Sequence, residues 1–252
     1  MDDGSLWFYG IFGGSGCAGD CRGWRRLDRF DVATGKNTVE IPDVGLVGSS
    51  SGYIWVRDSL AENGPLRKLD PKTGQEKGGI PFNMGSAQFA CGSLWGMTAS
   101  DWATADASTT VARIDPADGS TLASFTVPGY LRGLQSVGSE CWASVAPGGD
   151  DPYAADYADH FIRIGDSGVE YTSPLFDLDN HTYVDIQGGS FWLVSGGDYY
   201  NSATLQRLDP STWRPVGTLW QIGASPFAII GGSVWVFDDG GGLSRLDIPL
   251  GS

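Results

Sequence analysis

The sequence predicts an all-β fold on three observations: a tryptophan strand that recurs six times, a basic-apolar-acidic strand that follows it, and a composition poor in helix formers. Tryptophan recurs inside short β-like runs at Trp7, Trp55, Trp95, Trp142, Trp192 and Trp235, at steps of 48, 40, 47, 50 and 43 residues. Self-similarity at a period of forty-odd residues marks a repeat architecture, in which each unit is one supersecondary element. The 38 Gly, the 12% aromatic content and the scarcity of Glu and Lys favour short strands joined by tight turns. Together these observations predict a six-bladed β-propeller of four-stranded antiparallel blades, occupying residues 1–252 as a single domain.

Each strand of the repeat has its own signature. Strand B carries the tryptophan, as in Gly52-Tyr-Ile-Trp55, Gly92-Ser-Leu-Trp95 and Gly232-Ser-Val-Trp235. Strand C follows with a basic, an apolar and usually an acidic residue: Arg29-Phe-Asp31, Lys68-Leu-Asp70, Arg113-Ile-Asp115, Arg207-Leu-Asp209 and Arg245-Leu-Asp247, with Arg163-Ile-Gly-Asp166 as the irregular copy. It closes in turns such as Asp70-Pro-Lys-Thr-Gly74 and Asp115-Pro-Ala-Asp-Gly119, where Pro presets one turn residue and Gly supplies positive φ. Strand D comes next, for example Thr121 to Val127 and Val216 to Ile222. Strand A precedes each later tryptophan strand, at Val44 to Val47, Ala87 to Ala90, Leu131 to Val137, Tyr183 to Ile186 and Phe227 to Ile230. Copy one begins at strand B and copy six ends after strand C, so the blades at the closure seam read as incomplete. Either the blades at the seam have three strands, or a longer natural chain supplies the missing pair, and the second is the preferred expectation.

A large aromatic repeated in every unit is expected to pack between neighbouring blades, where it buries much area. The basic and acidic residues of strand C are expected to satisfy one another or the next blade.

The formal net charge of −14 repels a phosphate backbone and an anionic membrane surface, which disfavours nucleic acid and lipid surfaces as partners. Most of that charge is Asp, a turn residue, since Glu occurs only at Glu40, Glu62, Glu76, Glu140 and Glu170. No apolar run is long enough to span a bilayer, so this segment does not insert into a membrane. The start Met1-Asp2-Asp3-Gly4 lacks the basic and apolar regions of a signal peptide, and a strand begins almost at once, as in a piece of a longer secreted or membrane-anchored protein. Four cysteines permit two disulfides: Cys17 with Cys21 as a loop staple, and Cys91 with Cys141, which fall near the short-turn side of adjacent blades. Free thiols are the alternative for each pair. Oxidised pairs point to an extracellular or periplasmic location.

The units G-S-[LFV]-W and R-[LI]-D-P-x-[TD]-G resemble the YVTN/NHL-type repeats of bacterial propellers, including those similar to streptogramin lyase and the propeller sensor domains of receptor kinases. The resemblance covers nearly the whole chain and implies a blade more than an activity.

Antiparallel order puts the A–B and C–D turns at one end of each blade and the B–C loops and D–A crossovers at the other. Several B–C loops are long: Gly10 to Gly23, Ala99 to Ser108, Ala146 to Asp159 and Gly196 to Ser202. They hold Asp101, Trp102, Asp151, Tyr153, Tyr157, Asp198, Tyr199 and Tyr200, aromatics beside acids that suit a carbohydrate, another small molecule, a cationic group or a basic patch on a partner protein. The two histidines, His160 and His181, fall on this same side. Asp177, Asp179 and His181 supply donors that permit a Ca²⁺ or Mg²⁺ ion, although the stretch lacks the glycine and terminal Glu of an EF-hand loop.

The sequence thus predicts an extracytoplasmic binding or sensor module without catalytic activity. The alternative is a divalent-metal-dependent lyase or lactone hydrolase centred on His181. The resemblance to streptogramin lyase implies histidines on inner strands, and His181 has no second inner-strand histidine to join it.

Overall fold

The structure, a computed structural model, describes residues 5–12, 24–31, 34, 36–58, 64–100, 106–146, 160–174, 182–195, 203–222, 227–230, 233–237 and 243–247. Among these residues, 22 strands form six antiparallel sheets. The first sheet joins β1 (Ser5–Phe12), β2 (Trp24–Asp31) and β3 (Asn37–Pro42). The second joins β4 (Val44–Ser50), β5 (Tyr53–Asp58), β6 (Leu66–Leu69) and β7 (Glu76–Ile80), and the third β8 (Ser86–Ala90), β9 (Ser93–Ala99), β10 (Ser108–Ile114) and β11 (Thr121–Pro128). The fourth holds β12 (Tyr130–Val137), β13 (Glu140–Ala146), β14 (His160–Gly165) and β15 (Gly168–Thr172), and the fifth β16 (Thr182–Gln187), β17 (Ser190–Ser195), β18 (Ala203–Asp209) and β19 (Arg214–Ile222). The sixth is β20 (Phe227–Ile230), β21 (Ser233–Phe237) and β22 (Leu243–Asp247). In every sheet the strands pair in chain order, so each four-stranded sheet is a meander of strands A to D. Among the described residues, the first sheet holds strands B to D and the sixth strands A to C.

Residues 1–98 and 111–124 form one compact unit, and residues 99–110 and 125–252 a second. In the first unit, Leu27, Val44, Ile54, Val56 and Leu69 form one buried cluster, against which Trp7 and Ile41 pack. Trp55, Leu66, Ile80, Phe82, Leu94 and Ile114 belong to another. In the second unit, Trp142, Phe161, Val184, Ile186, Phe191 and Leu208 make the core.

Register explains the tryptophan. Trp7 lies opposite Arg29, Trp55 opposite Lys68, Trp142 opposite Arg163, Trp192 opposite Arg207 and Trp235 opposite Arg245. The basic residue of strand C is therefore the cross-strand partner of the strand B indole. At Trp55 the pair is a cation–π contact, with Lys68 Nζ 4.7 Å from the ring centroid. At Trp142 the partner Arg163 is also tied down by Glu140 at 2.6 Å and Glu170 at 3.4 Å.

The indole also reaches the following sheet. Trp55 meets Phe89 of β8 at 5.2 Å between centroids, Trp142 meets Phe191 of β17 edge-on at 5.1 Å, and Trp7 Nε1 donates to Pro71 O at 3.3 Å. Inter-sheet packing by the repeated tryptophan is thus observed at these three positions.

The acidic residue of strand C has a role that the sequence reading did not name: it caps its own turn. Asp70 Oδ1 accepts the N–H groups of Lys72 and Thr73 at 2.8 and 3.0 Å, Asp115 Oδ1 accepts that of Ala117 at 2.8 Å, and Asp209 Oδ1 accepts that of Ser211 at 2.8 Å. The fourth residue on is Gly74 or Gly119, whose N–H returns to the carbonyl of that Asp at 2.8 Å. Gly119 has φ +82°, and a Cβ there would lie 2.6 Å from Pro81 O, so the turn presses on the preceding sheet.

Trp213 occupies this same turn position at φ 55°. A left-handed conformation costs a bulky L-residue about 1–2 kcal/mol. Its ring offsets that by stacking on Phe161 at 5.9 Å and 11°, meeting Phe191 at 4.9 Å, and donating from Nε1 to Tyr171 Oη at 3.0 Å. The turn that elsewhere needs glycine is here a wedge between β14 and β17.

Two predictions follow from these pairings. Trp55 and Trp192 are both 1% exposed, but Trp192 Nε1 donates to Gln187 O at 3.1 Å while Trp55 Nε1 has no acceptor. Trp192→Phe loses a hydrogen bond that Trp55→Phe does not, so it destabilises the protein by about 1 kcal/mol more in urea unfolding. Equal losses would contradict the hydrogen-bond assignment.

The carboxyls of Asp70, Asp118 and Asp209 are held below the ordinary 3.8, chiefly by the backbone N–H groups of Lys72, Ser120 and Ser211 respectively. A lowered folded value means the stabilisation is complete above the unfolded value and is lost as the pH falls through the folded one. The urea midpoint therefore holds steady above that range and drops on acidification below 3.8, and a triple variant with Asn at all three positions shows a smaller acid-dependent drop.

Candidate binding face

The two ends of the sheets differ in construction. At the A–B end the hairpins are two residues long. Ser51–Gly52, Cys91–Gly92 and Gly188–Gly189 have positive φ at both residues, the type I′ geometry that matches strand twist. With the Asp-capped C–D turns, this end is compact.

The opposite end carries the long connections. The register places Tyr130, Ala146, His160 and Thr172 at that end of the fourth sheet, and Thr182, Ser195, Thr204 and Gln221 at that end of the fifth. The B–C connections 101–105, 147–159 and 196–202 leave from these strand ends.

The loop stems are closed by hydrogen bonds. Ser100 N donates to Ser108 O at 2.8 Å and Ser108 N donates to Ser100 Oγ at 2.8 Å, which seals the mouth of loop 101–105. Thr204 Oγ1 donates to Ser195 O at 3.1 Å at the mouth of loop 196–202. Side chains also hold the D–A crossovers. The buried Thr109 hydroxyl donates to Gly129 O at 3.0 Å and accepts from Leu131 N at 2.9 Å. Gly129 has φ +90°, and a Cβ there would sit 2.7 Å from Ala146 O, so only glycine fits the crossover. Ser173 Oγ accepts from Phe161 N at 2.8 Å and donates to Pro174 O at 2.9 Å. Arg57 Nη1 donates to Gly85 O, across the link between β7 and β8. These three crossovers are fixed by different side chains in different places, which is why no repeat motif reveals them. Loops that leave rigid, hydrogen-bonded stems present their residues with less entropy to lose on binding.

Of the residues the sequence nominates, Asp101, Trp102, Asp151, Tyr153, Tyr157, Asp198, Tyr199 and Tyr200 lie outside the described residues, as do Asp177, Asp179 and His181 and the pair Cys17 and Cys21. His160 opens β14 at the loop end, as expected. Cys91 and Cys141 are disulfide-bonded, a bond that persists in oxidising compartments. Sequence reasoning missed Trp213 with Tyr171. The signal was there: Asp209-Pro-Ser-Thr-Trp213 has the spacing of Asp70-Pro-Lys-Thr-Gly74 with an aromatic in the glycine place.

No protein-family model matches the chain, and no curated protein matches it. Solved structures do. The acylaminoacyl peptidase of Pyrococcus horikoshii superposes with a TM-score of 0.59 at 13% identity, over 100% of this chain and 45% of that one. An oligogalacturonate lyase in complex with manganese gives a TM-score of 0.56 at 13% identity, over 96% and 73%. The β-propeller domain of the trilobed protease from Pyrococcus furiosus, described as having an open velcro topology, gives 0.54 at 11% identity, over 97% and 78%. The chain spans less than half the length of the peptidase chains it matches. At such identities the likeness shows the fold and nothing of activity, and with the six antiparallel meanders it makes this chain a β-propeller.

Proposed function

We propose that this propeller is a non-catalytic binding or sensor module of the YVTN/NHL type that works outside the cytoplasm, as a segment of a secreted or membrane-anchored protein. The observation that carries this reading is the asymmetry of the sheets. One end is tied into short capped turns, and the other sends long aromatic and acidic loops from hydrogen-bonded stems. Rigid scaffolds with long loops at one end are where binding residues collect. The net charge of −14 and the Asp, Tyr and Trp content of loops 101–105, 147–159 and 196–202 favour a carbohydrate or a basic protein surface as ligand. The disulfide-bonded Cys91 and Cys141 favour the oxidising side of a membrane.

The test is a glycan array together with a library of basic peptides, followed by the variant Trp102→Ala/Tyr157→Ala/Tyr199→Ala on whatever binds. Aromatic anchors of this kind each contribute about 2 kcal/mol, so the triple variant loses binding about 100-fold or more. A folded variant with unchanged affinity would move the site off these loops.

A further inference from the structure

We propose that Arg132, presented beside Tyr130 at the loop end of the fourth sheet, anchors the carboxylate of an acidic carbohydrate. The inference rests on the carbohydrate reading of the loop end and names the charged group that such a ligand carries.

Position is the first observation. Strand β12 is an edge strand of its sheet. It pairs Leu131 with Val145 and Gly133 with Ser144, so Arg132 is the extra residue of a β-bulge. Bulges bend the strand locally and re-aim a side chain. Tyr130, two residues earlier, lies opposite Ala146, which puts both residues at the loop end. The backbone there is held firmly: Leu131 N donates to the buried Thr109 hydroxyl at 2.9 Å, and Gly129 leads into the strand at φ +90°.

A second strand uses the same backbone device for packing. Strand β4 opens with Pro42-Asp43-Val44 where β12 opens with Pro128-Gly129-Tyr130, and Asp43 has φ 57°. It also bulges, at Val47 between Leu46 and Gly48. There the side chains are core: Val44 is 1% exposed and Val47 is 7% exposed, inside a hydrophobic cluster. In β12 the strand opens on a half-buried tyrosine and the bulge turns an arginine to solvent. The bulge of β12 thus serves something other than packing.

Charge supplies the third observation. In the unit formed by residues 99–110 and 125–252 the basic residues are Arg132, Arg163, Arg207, Arg214 and Arg245. Arg163, Arg207 and Arg245 lie opposite indoles, and Arg214 lies opposite Asp209 at the turn end. Arg132 is the basic residue that this unit places at the loop end. It already has an interaction within the protein, and the five N–H donors of a guanidinium let it hold a second partner. The planar fork matches a carboxylate bidentately. In a chain of net charge −14 a ligand with one such charge is accepted where a polyanion is repelled. Tyr130 adds an aromatic face and a hydroxyl for a sugar ring.

The experiment measures, by calorimetry on the full chain, pairs of oligosaccharides that differ only in a terminal glucuronate or glucose. The unmodified chain, Arg132→Gln and Arg132→Lys are compared, with urea unfolding to confirm that each is folded. The proposal predicts that the unmodified chain binds the glucuronate member about tenfold or more tighter. Arg132→Gln removes this preference, and Arg132→Lys, which keeps the charge without the planar fork, retains part of it. An unmodified chain that binds neither member, or both alike, overturns the proposal. So does an Arg132→Gln variant that weakens both members equally, the mark of a purely structural arginine. The loop variant Trp102→Ala/Tyr157→Ala/Tyr199→Ala tests the other reading separately: unchanged binding there moves the site off those loops, while the glucuronate preference stands or falls with Arg132.

Discussion

The pairing of a strand B indole with a basic side chain directly across on strand C is the interaction on which the rest of this structure depends. It sets the B–C register, since a slip of one residue would turn both side chains to the other face of the sheet. It leaves the far side of the indole free for the next sheet, where Phe89 or Phe191 meets it. It also places the acidic residue two positions on, on the same face, where strand C ends and a carboxylate is needed to receive turn N–H groups.

From that register the two ends of each sheet acquire different characters. The turn end is self-sufficient: its polar groups are spent on Asp caps and type I′ hairpins. At the loop end, among the described residues, the stems are closed by Ser100, Ser108, Thr109, Ser173 and Thr204. Beyond the stems the sequence supplies aromatic and acidic residues. A scaffold of this form is suited to diversifying one end without disturbing the other.

Much of the fold was legible because it repeats. The six tryptophans located the B strands and the basic-apolar-acidic run located the C strands. Strand ends were less so. Strand β19 begins at Arg214, because Pro215 lies opposite Leu208 on an edge where a missing N–H costs no ladder bond. The capping role of the strand C Asp was not read from the sequence, because residues two apart share a face and draw attention as partners before the backbone donors of the turn do. Thr109 and Arg57 were invisible for a related reason. Each acts once, through contacts to residues distant in sequence, so the period that made everything else readable passes over them. The loop residues were nominated from composition and topology, and the strands that flank them have the expected order.

The claim that the indole and its basic partner hold the blades in register is tested most directly by a double-mutant cycle on Trp55 and Lys68, where the contact is a single cation–π pair at 4.7 Å. Urea unfolding of Trp55→Leu, Lys68→Met and the double variant isolates their coupling from the separate costs of burial. The account predicts a favourable coupling of about 0.5–1 kcal/mol. Additive losses, with no coupling between the two positions, would contradict it.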